Sequence, residues 1–480
     1  MKAVIIFTVT LMFLWTQFAQ GQQNYSLDEY LEQISSVGYD AKIAQTRREK
    51  AEAGFSFFRS QLRPQVNISA GLPGFTRTSV PVTQPDGTIA FQPVFQNNSS
   101  FSLRVENPVV LTGGTLFVES ALQRFDNFGQ RSVFYNGIPL RFGYSQSLLG
   151  FNTWKWNQKI ESITLENEKN IYNFEVENIR FAGVILYFDA LMAKTESSVA
   201  DTNRTSNQKL LAIAEERYLL GKISTEEKLQ MEAEYKMSDL QYRQALNNYH
   251  QSLLEMEKGF SSEIDPTFNL LLPSSFIVEN VNTSDLIEEA IKNAPTIKQY
   301  LLDAENAKRN QKRTRAEWGP SLQVYASVGL AQSGNQVGDV YKNPFNEQQI
   351  FAGISIPVVD WGRKKAAVTM ADADIFQATL WVEKEKQQIS NTIQQLVSNL
   401  KEVQQRVIQQ KEIVKISEAR YNISKERYIA GVVPVNELFM AQSAKDLAIR
   451  NYLNGLRNLY VSYHDLLRLT GTNITRQFIQ

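Results

Sequence analysis

Glu216-Arg217-Tyr218-Leu219-Leu220-Gly221 and Glu426-Arg427-Tyr428-Ile429-Ala430-Gly431 write one phrase twice in otherwise helical sequence. Six residues past each Gly comes an acid, Glu227 or Glu437, and eight past comes a large apolar residue, Leu229 or Phe439. An upstream landmark repeats too: Pro64 opens an alternating stretch, Gln65–Leu72, and Pro320 opens another, Ser321–Leu330. The offset is 256 between the prolines and 210 between the glycines, a difference of 46. One duplicated unit, with 46 more residues in the β-like region of its first copy, explains both spacings.

Each copy reads helix, strands, long helix, tip, helix. Ser26 to Arg63 is charged, Ala-rich and free of Pro, which predicts a helix with a capped start at Ser26-Leu27-Asp28-Glu29. Thr283-Ser284-Asp285 opens its counterpart. After each proline the period becomes two. Val66, Ile68, Ala70 and Leu72 share one face, as do Leu322, Val324, Ala326 and Val328, with small or polar residues between them. Return strands are expected at Leu140–Leu149 and Gln349–Val358. Two extra strands are expected in the first copy, at Ser99–Val109 and Thr115–Leu122, joined by Thr112-Gly113-Gly114.

Long Pro-free runs follow, from Trp154 to Glu216 and from Arg363 to Glu426. About 60 residues at a 1.5 Å rise make rods of roughly 90–100 Å. In the second, Ile393, Leu400, Val407, Val414, Tyr421 and Tyr428 recur every seven, with Ile389, Leu396 and Val403 as the partner series. That is a coiled-coil seam, and Gln410 and Ser417 make it more polar toward the tip. The polar cluster Asp201–Asn207 reads as exposed helix. Gly221 and Gly431 let the chain leave the helix left-handed and reverse.

The expected organisation is a signal peptide (1–21), a first helix (22–63), strands with an extra hairpin (64–152) and a helical hairpin (153–259, tip 218–224). A connector (260–282) leads to the second helix (283–318), strands (319–362), helical hairpin (363–470, tip 428–434) and tail (471–480). Lys2, the apolar run Ala3–Trp15 and Ala19-Gln20-Gly21 carry the signal-peptide reading. Removing Lys2 from a neutral total leaves the exported chain near −1, which gives no reason to expect a nucleic-acid partner.

The chain has no Cys, so disulfides, thiolate metal sites and Cys nucleophiles are excluded. Its two histidines, His250 and His464, each follow a Tyr at near-equivalent places in the two copies, which reads as structural. No catalytic order, phosphate loop or metal cluster stands out. The reading is not an enzyme, with no cofactor and no metal. Trp154, Trp156, Trp318 and Trp361 sit where strands meet helices, the place a membrane barrel wants amphipathic rings. Trp381 is the other tryptophan of the exported chain.

This layout resembles the TolC family of outer-membrane efflux and secretion ducts over essentially all of the exported chain. The two E-R-Y-x-x-G tips, the Pro-led strands and Ile356-Pro357-Val358-Val359-Asp360-Trp361-Gly362-Arg363 carry the resemblance, with Ser145-Gln146-Ser147-Leu148 as the first-copy junction. It implies a mostly α fold with a β-barrel contribution: a homotrimer whose protomers each give four strands to a 12-stranded barrel and whose helices continue as a periplasmic α-barrel. Two departures stand out. Ser99–Leu122 adds strands, compatible with a wider barrel or a hairpin outside it. At plus six and plus nine past the second Gly, where the family has two acids, stand Glu437 and Met440. Tyr428 holds the position of the family's latch tyrosine, and Val433 replaces its cationic partner.

Elementary physics asks for the same assembly. A few strands cannot close a barrel, and an open sheet edge cannot sit in lipid, so symmetric copies must supply the neighbours. The expected function is a passive outer-membrane duct, driven by an inner-membrane pump through a periplasmic adaptor. A polypeptide-secretion duct of a type I system is the alternative on the same fold, and a structural envelope coiled coil the alternative on another. Adaptor docking is expected at Arg217, Tyr218, Gly221, Arg427, Tyr428 and Gly431, where few internal contacts are foreseen. A lumen gate is expected at Glu227, Glu437 and Tyr428; the competing reading makes both acids solvated first-turn residues, favourable with the helix dipole.

Overall fold

The computed structural model describes residues 24–259, 269–278, 282–471 and 477–478. The expected signal peptide, residues 1–21, lies outside the described residues, as do parts of the connector (260–268, 279–281) and tail (472–476, 479–480). The first copy contributes β1 (Asn24–Tyr25), α1 (Leu27–Val37), α2 (Tyr39–Gln61), β2 (Gln65–Thr83), β3 (Ile89–Val109), β4 (Gly114–Asn127), β5 (Ser132–Ser147), α3 (Thr153–Leu219) and α4 (Thr225–Glu257). The connector holds β6 (Asn269–Leu270) and β7 (Phe276–Ile277). The second copy gives α5 (Thr283–Asn293), α6 (Pro295–Glu317), β8 (Ser321–Gly334), β9 (Phe345–Ser355), α7 (Arg363–Ile429) and α8 (Val435–Thr470), and β10 (Gln477–Phe478) follows.

Helix lengths expose the duplication directly. The pair α1 and α5 are 11 residues each, α2 and α6 are 23 each, and α3 and α7 are 67 each. Between α2 and α3 lie 91 residues (62–152) and between α6 and α7 lie 45 (318–362), which restores the 46-residue difference.

The single opening helix expected in each copy is two. In the first, the chain turns extended at Gly38 (φ −61°, ψ 159°), where a Cβ would stand 2.4 Å from the Ile34 carbonyl oxygen and 2.8 Å from that of Gly259. In the second the break falls at Ala294, and Pro295 starts the new helix because its missing N–H has no partner to lose there. Ser26 caps α1 as expected: its Oγ accepts from Glu29 N at 3.3 Å, and the Glu29 carboxylate accepts from Ser26 N at 2.9 Å.

The chain divides into two compact units. One (Glu49–Asn167, Lys298–Glu383) holds a six-stranded antiparallel sheet in the order β2-β3-β4-β5-β8-β9. Its strands are longer than the alternation suggested, and β2 and β3 run to 19 and 21 residues. Two strands end earlier than expected, β5 at Ser147 instead of Leu149 and β9 at Ser355 instead of Val358, the latter because Pro357 has no N–H for the ladder. Register puts like with like. Ile68 stands opposite Leu103, Val105 opposite Val118, and Phe142 opposite Val328, on an apolar face. Ser69 opposite Ser102, Glu119 opposite Arg141, and Gly329 opposite Glu347 make the other face polar.

The other unit (Met1–Arg48, Glu168–Ile297, Lys384–Gln480) is helical around an aromatic core. Tyr187, Phe188, Phe276, Tyr460 and Tyr463 are all buried, and the Phe276 ring lies 4.9 Å from Tyr460 and 5.2 Å from Tyr463. The Tyr187 hydroxyl is held by the carbonyls of Tyr25 (2.8 Å) and Leu271 (2.6 Å), which ties α3 to the two-stranded pairing of β1 with β6. His464 is buried here against Tyr463, whereas His250 is exposed, so equal placement in sequence did not mean equal surroundings.

Of the seven-residue series, Ile393, Leu400, Val407, Tyr421 and Tyr428 are buried. The cluster Asp201–Asn207 is helical but not exposed, contrary to expectation: Asn203, Ser206 and Asn207 are buried. Polar groups in the facing helices receive two of them, with Asn203 donating to the Asp446 carboxylate at 2.6 Å and Ser206 Oγ lying 3.3 Å from the Tyr421 hydroxyl. Leu400→Ala, at a side chain only 2% exposed, should lower stability by about 2–5 kcal/mol. Chemical unfolding followed by helical circular dichroism checks this against the exposed neighbour Lys401→Ala, which should change little.

Candidate functional site

The two tips are the same backbone device. At the first, Gly221 N donates to Tyr218 O and Lys222 N to Arg217 O, both at 2.9 Å. At the second, Gly431 N donates to Tyr428 O and Val432 N to Arg427 O, also at 2.9 Å. This paired closure needs a left-handed residue after the helix, and φ is +65° at Gly221 and +78° at Gly431. Ser224 then caps α4, accepting from Glu227 N at 3.1 Å, whereas α8 begins after Pro434.

The side chains depart from the expectation of tips with few internal contacts. Arg217 reaches across to the end of α7, donating to Tyr428 O at 3.0 Å and to Ile429 O, with its guanidinium 5.7 Å from the Tyr428 ring centre. A cation thus satisfies carbonyls that a helix C-terminus leaves open. Gln230 donates to the Asn436 side chain, linking the second turn of α4 to the first turn of α8. Arg427 instead faces Glu437 at 3.8 Å, with both side chains about half exposed.

Tyr428 is not on an open surface of the protomer. It is 1% exposed, packed with Leu210, Ala214, Met231 and Leu438, and its hydroxyl has no hydrogen-bond partner among the described residues. The expected gate tyrosine is therefore core: the seven-residue seam carries it inward between the helices of one chain. Burial, with the Glu227 carboxylate adding to it, raises the phenol above its ordinary pKa, and Arg217 opposes the shift. Glu227 and Glu437 are half-buried acids in the first turns of α4 and α8. Beside exposed polar groups such as Lys222, the apices expose large apolar side chains: Leu219 (83%), Leu220 (68%) and Val432 (63%). The sequence reading passed over these three, although an apolar residue flanking each turn glycine was the available signal.

In the sheet unit the polar face carries a ladder of charge that the sequence reading also missed. Arg104 pairs with Glu106 on its own strand and with Glu119 at 3.6 Å. Glu119 lies 3.9 Å from Arg141, which reaches Glu347 at 2.9 Å. Arg104 also stands 4.2 Å over the Phe117 ring, which stacks on Tyr325 at 5.9 Å. Charges at the polar positions of β3, β4, β5 and β9 were the readable signal, once register placed them side by side.

All four junction tryptophans lie at the end of this sheet where the helices attach. Trp154 and Trp156 open α3, and Trp318 directly follows α6 with the Arg363 guanidinium 4.3 Å over its ring. Trp361 is 96% exposed and takes a left-handed φ of +53°, rare for a bulky side chain. Asp360 holds that turn, accepting from Gly362 N at 3.0 Å and Lys364 N at 3.1 Å.

Residues 286–472 match the family described as outer membrane efflux protein. Solved structures match nearly the whole chain. A membrane protein from Pseudomonas aeruginosa aligns over 94% of this chain and 92% of its own, with TM-score 0.68 and 13% identity. The Campylobacter jejuni CmeC outer membrane channel covers 93% and 85%, with TM-score 0.65 and 15% identity. The open state of the Neisseria gonorrhoeae MtrE outer membrane channel covers 95% and 91%, with TM-score 0.62 and 15% identity. At such identities the fold alone is shared.

Replacing Tyr428 with Phe removes a buried, unpartnered hydroxyl and should leave the thermal midpoint unchanged or higher. Arg217→Ala, which strips the end of α7 of its donors, should lower stability by about 1 kcal/mol. Thermal melts of the two variants side by side check the opposite signs.

Proposed function

We propose, for a chain whose residues 286–472 match the outer membrane efflux protein family and whose fold is that of outer-membrane channels, that it is the passive exit duct of a tripartite efflux system. Three copies close the sheet into a membrane barrel, with the apolar faces toward lipid and the polar faces toward the passage. The single observation that carries this reading is the open-edged sheet with one apolar and one polar face. Val66, Ile68, Phe142, Val328 and Ile350 are each about half exposed or more on the apolar face, which no soluble sheet tolerates over such an area. Trp154, Trp156, Trp318 and Trp361 then mark the boundary between the outer membrane and the periplasm.

The tips dock a periplasmic adaptor that connects to an inner-membrane transporter. Exposed Tyr218, Leu219, Leu220 and Val432 offer it an apolar apex, Gly221 and Gly431 shape that apex, and Arg217 with Arg427 fixes it from within. Fractionation should find the mature protein in the outer membrane and absent from the soluble periplasm. Gly221→Val with Gly431→Val strains both left-handed turns; export of a dye or drug substrate should be lost while the assembled oligomer persists. Undiminished export would remove the tips from docking.

Glu227 and Glu437 gather six carboxylates near the periplasmic mouth of a trimer and favour cations there. Neutralising both with Gln should abolish cation selectivity in planar-bilayer recordings. Selectivity identical to wild type would leave the acids as helix-dipole residues outside the passage.

A further inference from the structure

The resemblance to TolC-type ducts implies four strands per protomer, and this chain has six in one sheet. We propose that the inserted pair, β3 and β4, is part of the membrane wall, so that three copies close an eighteen-stranded barrel instead of a twelve-stranded one. The inference rests on the trimeric-duct reading and concerns the width of its pore.

Place in the sheet is the first support. The insert is not an edge hairpin that could peel away: it stands between β2 and β5, the two strands that correspond to β8 and β9 in the second copy. Looping it out would break two ladders, β2 with β3 from Gln65↔Glu106 upward and β4 with β5 from Thr115↔Ser145 upward. Every N–H and C=O freed in lipid would lack a partner.

Chemistry of the two faces is the second. On β3, Phe101, Leu103 and Val105 alternate with Ser100, Ser102 and Arg104; on β4, Leu116, Val118 and Leu122 share the apolar face. Phe101, Leu103 and Leu116 are 50%, 38% and 49% exposed, on the same face as Ile68 and Phe142. A hairpin standing in water needs no such continuation. At 21 and 14 residues both strands exceed the roughly 9–11 that span a bilayer.

The third support is at the helix-side end. The turn from β3 to β4 is fastened to the junction of β5 with α3. Asn152 donates through Nδ2 to Val110 O at 2.9 Å, while its Oδ1 accepts from Lys155 N at 3.0 Å in the first turn of α3. Gln146 donates to Thr112 O at 2.9 Å, and Thr112 Oγ1 lies 2.8 Å from the Tyr144 hydroxyl. Gly113, at φ +84°, packs so closely that a Cβ there would stand 2.9 Å from Asn152 Cγ. The insert therefore reaches the level where the other strands end.

Closure between copies needs compatible edges. β2 leaves the helix-side end and β9 returns to it, so β9 of one copy meets β2 of the next antiparallel, and six is an even number per copy. The edge stretch Gln65–Leu72 lies below Pro73, which lacks an N–H and bounds the seam. Diameter grows about linearly with strand number, so the barrel is roughly one and a half times as wide as a twelve-stranded one.

The chain's lack of Cys makes engineered disulfides a clean test in native outer membranes. A seam set, Gln65→Cys or Asn67→Cys with Gly353→Cys or Ser355→Cys, should give intersubunit dimers and trimers on non-reducing gels. Two wall pairs, Ser69→Cys with Ser102→Cys and Thr115→Cys with Ser145→Cys, should oxidise within one chain. A looped-out pair, Asn67→Cys with Arg141→Cys, which share one level of the sheet through Arg104 and Glu119 but stand three strands apart, should stay reduced. Seam bonds together with oxidation of the looped-out pair, the wall pairs remaining reduced, would overturn the eighteen-stranded count and leave the trimer standing. No intersubunit bond from any seam combination would overturn both.

Discussion

Backbone hydrogen bonding at the two edges of one sheet is the constraint on which the rest depends. Among the described residues, β2 and β9 each present one side with no strand beside it, while the face they border is apolar and exposed. Water could satisfy those edges but not that face. Lipid could satisfy the face but not the edges. Only more of the same sheet satisfies both, and in the proposed trimer a second and third copy of the chain supply it. In that proposed assembly the charged ladder from Arg104 to Glu347 faces inward, where ions cost least.

The helices answer a different demand. Pairs of helices of equal length, 67 residues in each copy, are closed by identical backbone turns, so the tips match even where their side chains do not. Arg217 shows how a duplicated sequence becomes asymmetric: it spans to the other tip and caps α7, while its counterpart Arg427 faces Glu437. Between the tips and the aromatic core, polar residues such as Asn203 and Ser206 are buried among partners on facing helices, giving that stretch of the hairpins a register that apolar packing alone would leave looser.

Much of this was legible in the residues because each signal was local and periodic. Two-residue alternation after Pro64 and Pro320 located β2 and β8, and the seven-residue series located the buried side of α7. The offsets measured the insert before any strand was seen. What the sequence hid was everything set by tertiary neighbours. Gly38 looked like ordinary helix until the Gly259 carbonyl arrived beside it. Asp201–Asn207 looked solvated because its partners, Tyr421 and Asp446, lie more than 200 residues away. The seven-residue series carries Tyr428 at its end, but its neighbours Leu210, Ala214 and Met231 come from the other helical hairpin and are set by tertiary packing. The ion ladder needed the register of four strands, which no single strand discloses.

Completion of the sheet by identical copies is most directly tested by native mass spectrometry of the detergent-extracted protein. The account predicts a particle of three chains that stays intact as the micelle is stripped, because its subunits share backbone hydrogen bonds. A stable single-chain particle, with its sheet folded and no larger species at any protein concentration, would contradict it.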